Sequence, residues 1–140
     1  MPIEMLNISG DVGILVRSDN IVDAIKEACI GMYSLMTDLK DILPTKSIDI
    51  HLEEDSLESL VVCLLNELLF QFETKGFIGN DLVIEFSEES GIFKINTNIK
   101  GESFDPNRHS RKLLIKAATY HNLLVNVDGD GTIIRIVFDI

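Results

Sequence analysis

The sequence predicts an α+β fold: one domain over residues 1–140, with two main helices packed on mostly antiparallel or mixed sheet strands. Two stretches carry apolar residues at helical spacing, and they are set among stretches that alternate with the period of a strand. Apolar residues make up 46% of the chain and recur along most of its length, so the chain can bury a core. No linker, low-complexity tract or internal repeat divides it, and 140 residues are enough for one core without staples.

The first element is a short strand near Ile3–Leu6, followed by a turn at "NISGD" and the strand "VGILVR". The first helix starts after Asn20, a good N-cap with Asp23 behind it, and Ile21, Ile25, Ala28, Met32 and Leu35 form its apolar face. Pro44 lies beyond its end in "DILPTK", and "SIDIHLEE" then alternates as a half-buried strand. The strongest helix signal is "DSLESLVVCLLNELLFQFE", where Asp55 with Glu58 can cap a helix whose wide apolar stripe runs about Leu57–Phe72. This second helix is expected to be the most buried element. Asn66 and Glu67 interrupt the stripe, on a narrow exposed face or to satisfy neighbouring backbone groups.

After Gly76 the reading is almost all strand. "DLVIEFSEESGIFKINTNI" predicts a hairpin around Ser90–Gly91, and "RKLLIKAATYHNLLVNV" gives one long strand or two. "DGDG" turns the chain into the last strand, "GTIIRIVFDI", whose alternation runs to the last residue. That strand carries Asp139 and the α-carboxylate of Ile140 side by side, a concentration of negative charge that calls for a partner.

Twelve basic against 23 acidic residues give a formal net charge of −11. Nucleic-acid binding needs phosphate neutralisation by Lys and Arg, so direct high-affinity binding is not expected. Any role near RNA then runs through a partner or a local basic patch. A divalent cation or a basic protein surface suits this charge better. Cys29 and Cys63, each inside a helical pattern, read as free buried thiols. No apolar run approaches the roughly 20 residues of a membrane span. "MPIEMLNISGDVG" lacks the pattern of a signal peptide, so a cytoplasmic location is expected.

Several motifs are weaker than they look. "DGDGTIIRIVFD" has acids where a calcium loop wants them, but Ile133 stands where that loop needs glycine and strand alternation follows. His51, His109 and His121 lack metal-ligand spacing. "RHSRK" is a basic island that reads either as a charged strand edge or as a docking patch for an acidic surface. Asp11, between Gly10 and Gly13, reads on its own as a turn aspartate.

Taken together, several stretches resemble the archease family. They are "DVGI" (Asp11–Ile14), "GMYSLMTDL" (Gly31–Leu39), "LLNELLFQFETKGF" (Leu64–Phe77), "GESFDPNRH" (Gly101–His109), "KAATYH" (Lys116–His121) and the ending "FDI" (Phe138–Ile140). They occur in order over nearly the whole chain. The resemblance implies a fold related to the strand–helix–strand–strand module. It also implies a protein cofactor, not itself an enzyme, that activates the GTP-dependent tRNA-splicing RNA ligase. That ligase joins 3′-phosphate or cyclic-phosphate ends to 5′-hydroxyl ends, and the cofactor promotes its guanylylation and multiple turnover. The family's metal-binding acids map onto Asp11, Asp139 and the terminal Ile140, and its lysine in K-A-x-T-Y-H maps onto Lys116. Asp38 fits the M-x-D-L pattern as a further functional candidate, although it can equally end the helix. The family usually reads Asp-His-Thr-Ala-Asp before Val-Gly. Here Asn7 replaces the first acid and Ile8 the histidine, so a role resting on that histidine is not carried over.

The expected cation is calcium, bound by Asp11, Asp139 and the Ile140 α-carboxylate, because the set is all oxygen with no Cys or His beside it. A stand-alone metal-dependent hydrolase using Asp11, Asp139 and Asp38 is the alternative. Such an enzyme usually adds a general base and a substrate pocket, and neither can be assembled from the sequence. A general chaperone-like module is a third reading.

Overall fold

Each of the two helices touches both of two antiparallel sheets. The structure, a computed structural model, describes residues 3–8 and 10–140, with Ile8 described by its backbone alone. The turn expected over "NISGD" includes Ser9, which lies outside the described residues. Strands β1 (Ile3–Ile8) and β2 (Asp11–Ser18) precede α1 (Ile21–Met36), and β3 (Lys46–Glu54) precedes α2 (Leu57–Lys75). The hairpin β4 (Phe77–Glu89) and β5 (Ile92–Ser103) follows, then β6 (Ala117–Asp128) and β7 (Gly131–Asp139). One sheet has the order β1-β2-β7-β6 and the other β3-β5-β4, with every pairing antiparallel. Helix α1 packs on β2, β7 and β4, while α2 packs on β6, β3 and β4. No described helix is long and apolar enough to cross a membrane.

Local signals account for most element ends. The Asn20 side chain accepts from the Asp23 N–H at 2.8 Å, as its capping position predicts. Ser56 rather than Asp55 caps α2. It sits one residue nearer the first turn, and its hydroxyl accepts from the Ser59 N–H at 3.1 Å. Gly76 caps α2 in the left-handed region at φ 67°, so the helix runs to Lys75, three residues past the predicted Phe72. In the β4–β5 hairpin Ser90 and Gly91 both have positive φ, as a two-residue turn matched to strand twist requires. Strand β4 starts at Phe77, ahead of the expected Asp81, because an irregularity between Gly79 and Asp81 breaks the alternation there.

The expectation that α2 is the most buried element is overturned. Nine of the 16 residues of α1 are buried, against seven of 19 in α2. Small residues make the difference: Ala24, Ala28, Cys29 and Gly31 let α1 sit close to its neighbours, and a Cβ on Gly31 would meet the Ile14 side chain at 3.0 Å. Helix α2 instead leaves Phe70 53% exposed. Both cysteines are free, and burial pushes the Cys29 thiol up to about 12, leaving it an inert packing group.

The stretch "RKLLIK" is not strand. Residues 110–116 form a strap over the end of α1, where the Lys112 and Leu113 N–H groups donate to the Met36 and Leu35 carbonyls at 3.0 Å. Lys116 therefore precedes β6 instead of lying inside a strand. Strand β6 itself is broken after Thr119: Thr119 pairs with Val137, and pairing resumes only at Leu124 with Arg135.

Candidate functional site

The register of three strands gathers the predicted residues at one end of the β1-β2-β7-β6 sheet. Val12 pairs with Phe138, so Asp11, which opens β2, stands beside Asp139, which closes β7. Cross-strand partners share a face, and Val12 and Phe138 face the core, so the two carboxylates point outward. On the other side Asp139 pairs with Ala117, and the Lys116 N–H donates to the Asp139 carbonyl at 2.8 Å. Lys116 and Ile140 are both exposed beside that bond. Asp11, Asp139, Ile140 and Lys116 thus form one tip.

Asp38 has a different setting. The Ser110 hydroxyl donates to its carboxylate at 3.1 Å, and Lys112 Nζ lies 3.8 Å away. Thr37 adds a bond to the Ser110 carbonyl at 2.7 Å. Asp38 therefore fastens the strap to the end of α1. The strap in turn carries Lys112 and Leu113 to a groove shared with Val12 and Asn7 next to the tip.

The tip is braced by a residue whose role the sequence left open. Asn66 of α2 donates from Nδ2 to the Ala118 carbonyl at 3.0 Å and accepts from the Ala118 N–H at 2.8 Å. Its amide stands in for a strand neighbour on the free edge of β6, which was one of its two expected roles. The segment from Ala117 to Thr119 is short, bounded by the strap and the break, and pairs with β7 on one side, so this pair of bonds supports its other side.

Glu102 was missed altogether. It accepts from the Leu43 N–H at 2.6 Å, from Arg108, and from His109 Nε2 at 3.1 Å. The Leu43 N–H is the largest cause holding its carboxyl down to about 2; Arg108 and His109 add to this, while burial opposes it. His109 Nδ1 accepts from the Asp105 N–H at 2.8 Å, which leaves the ring proton on Nε2, facing Glu102. Arg111 lies over the Phe104 ring at 5.1 Å. The "RHSRK" island is therefore a folded-back loop with His109 buried and the exposed Arg108 paired with Glu102, and the strand-edge reading is corrected. The only available signal was an acid spaced six and seven residues before an Arg and a His, which spacing alone cannot interpret.

As a metal site the tip fits a hard cation in kind: it offers carboxylate oxygens in the open and no sulfur or imidazole. Among the described residues no three His, Cys, Asp or Glu side chains group to hold a metal, so two side chains and a main-chain carboxylate are the set available. The remaining oxygens would come from backbone or water.

The model of the archease protein family matches residues 4–140. The protein archease of Methanopyrus kandleri is 30% identical over 141 residues, covering 100% of each chain. That of Pyrococcus furiosus is 28% identical over 123 residues, 88% of this chain and 87% of its own. The solution structure of Methanobacterium thermoautotrophicum protein 1598 superposes with a TM-score of 0.81 at 21% identity, covering 99% of each chain, which supports the fold.

Proposed function

Because the chain belongs to the archease family, we propose that it is a protein cofactor that activates the tRNA-splicing RNA ligase, in the cytoplasm, by presenting its tip to that enzyme. On this reading it promotes guanylylation and repeated turnover of the ligase and is not itself the catalyst. One observation carries the reading: strand register sets Asp11 beside Asp139, and the Lys116 N–H bonds the Asp139 carbonyl at the same end of the sheet, with Asp11 half-buried and Asp139 and Lys116 exposed. Carboxylates and an ammonium group on a protruding end suit insertion into another protein's site more than enclosure of a small substrate.

Asp11, Asp139 and the Ile140 α-carboxylate would hold a divalent cation, calcium by preference. When bound, it supplies positive charge where the carboxylates otherwise repel one another. The chain's own contribution is positional. The Asp139 carbonyl fixes the Lys116 backbone, and the long Lys116 side chain is left exposed to reach a partner's carboxylate or phosphate.

Reconstitution tests the reading. Purified ligase, GTP and a broken tRNA stem are assayed for multiple-turnover sealing with and without this protein. Stimulation only in the presence of the ligase is expected, and the Lys116→Ala protein should fold normally yet stimulate poorly. Sealing or hydrolysis by this protein alone would instead favour an enzyme, the hydrolase alternative in the case of hydrolysis. Full stimulation by folded Lys116→Ala would remove that lysine from the site.

A further inference from the structure

The two sheets of this protein turn very different outer faces to the outside. In the β3-β5-β4 sheet the rows across the outer face read Asp49–Asn98–Val83, His51–Asn96–Glu85 and Glu53–Lys94–Ser87. Val83 is the one apolar residue in those rows, and side-chain hydrogen bonds tie the polar ones together: Asn98 to Asp49 at 2.9 Å, His51 to Asn96 at 2.7 Å and to Glu53 at 2.8 Å. This is a solvent face.

The β1-β2-β7-β6 sheet breaks that pattern. Its outer rows read Leu6–Gly13–Val137–Thr119, Glu4–Leu15–Arg135–Leu124 and Arg17–Ile133–Asn126. Leu6, Leu15 and Ile133 are half-buried there and Leu124 is 36% exposed, with none of them joined to the core cluster. Val137 lies outside the core cluster as well, but at 1% exposure it offers no surface of its own. The two cations of this face are already engaged, Arg17 with Glu4 at 3.2 Å and Arg135 with the Asn122 carbonyl at 2.9 Å. An apolar stretch with a polar rim on one sheet, beside a sheet whose outer rows are polar but for Val83, is the anatomy of an interface.

Position selects the occupant. Asp11 and Asp139 are the next row of this same face, so a surface laid over Leu15 and Leu6 arrives at the tip. Charge also selects. A second copy would bring another net charge of −11 against the first, whereas an enzyme that grips RNA carries basic surface around its nucleic-acid channel. We propose that the outer face of the β1-β2-β7-β6 sheet is the docking surface for the activated RNA ligase, which meets Leu6, Leu15, Leu124 and Ile133 with an apolar patch and turns Lys and Arg toward Asp11 and Asp139. This assignment rests on the activator reading. It adds where the partner sits.

The test is affinity for the ligase, measured by calorimetry, for Leu15→Glu and Ile133→Glu, with Val83→Glu on the polar sheet as the matched control. Melting midpoints and sedimentation check that each variant is folded and monomeric. Leu15→Glu and Ile133→Glu should each weaken binding about tenfold or more, as for truncation of a central contact. Val83→Glu should bind like the wild type. Should a glutamate variant fail to fold, Leu15→Cys gives the second readout: its thiol should label readily alone and be protected in the ligase complex. Ligase binding that survives both glutamates, or a Leu15→Cys thiol labelled equally fast in the complex, overturns the docking face and leaves the activator reading intact. A dimer held by this face and dissolved by Leu15→Glu, with ligase affinity unchanged, overturns it in favour of a second copy. A wild-type protein that neither binds nor stimulates the ligase overturns the activator reading, and the docking face with it.

Discussion

Replacing Asn66 by Ala should loosen the tip before it loosens anything else. The side chain makes two hydrogen bonds to one residue, 3.0 Å to the Ala118 carbonyl and 2.8 Å from its N–H. Truncation leaves a backbone donor and an acceptor unpaired on a part-buried strand edge. Each such orphan costs about 1 kcal/mol at the low end of the range, since water can reach part of the gap. The sum is about 2 kcal/mol, equivalent to a fall of about 6 °C in melting midpoint for a chain of this size. Amide hydrogen exchange is the sharper assay. A local loss of about 2 kcal/mol should speed exchange at Ala118 about thirtyfold while the β3-β5-β4 sheet stays protected. Asn66→Asp should do no better, because its carboxylate keeps the acceptor but sets an oxygen against the Ala118 carbonyl. An unchanged midpoint together with unchanged exchange at Ala118 would show that the amide pair is incidental.

Three further outcomes are expected. Leu65, 1% exposed in α2, should cost about 2–5 kcal/mol on truncation to Ala, read from the denaturation midpoint; a wild-type midpoint would mean that the α2 stripe does not hold the core. Glu102 is held at about 2 against an ordinary 4.5, so its contribution is complete above about pH 4.5 and is lost as pH falls toward 2. The stability gap between wild type and Glu102→Gln should therefore shrink over that window, and a gap independent of pH would refute the assignment. Appending one glycine after Ile140 moves the α-carboxylate by about 3.3 Å, and Asp11→Ala removes a donor. Each should weaken calcium binding about tenfold or more by calorimetry, and wild-type affinity in both would remove the proposed site.

Local chemistry was legible in the sequence, and long-range adjacency was not. Asn20, the Ser90–Gly91 turn and the stripe of α2 announce themselves because each acts within a few residues. Lys116 was misplaced for a physical reason: "LLI" before it has the apolarity of a strand, but Ile115 is buried and Leu113 is fastened to α1. Apolarity records burial, not the element that provides it. Glu102 was invisible because its partners come from loops on either side of it in sequence. The adjacency of Asp11 and Asp139 follows only from the β2–β7 pairing. No spacing rule brings the first and last parts of a chain together, so those acids could be proposed from the sequence only through the family resemblance.

The same adjacency explains why such a charged tip can be held in place. Carboxylates gathered within a few ångströms near a surface repel by about a kcal/mol or more per pair. The fold offsets this locally: β7 is held on both sides, by β2 along its length and by Ala117 and Lys116 at its end, and Asn66 stiffens the β6 segment from behind. None of these bonds uses the side chains of Asp11, Asp139 or Lys116. Backbone groups carry the structural load, so the charged side chains remain available for a cation or a partner. Asp38 shows the opposite arrangement, with its carboxylate spent on Ser110 and close to Lys112. Among the described residues, the hydrogen bonds thus divide these acids into one whose carboxylate fastens the strap and two whose carboxylates take part in no hydrogen bond.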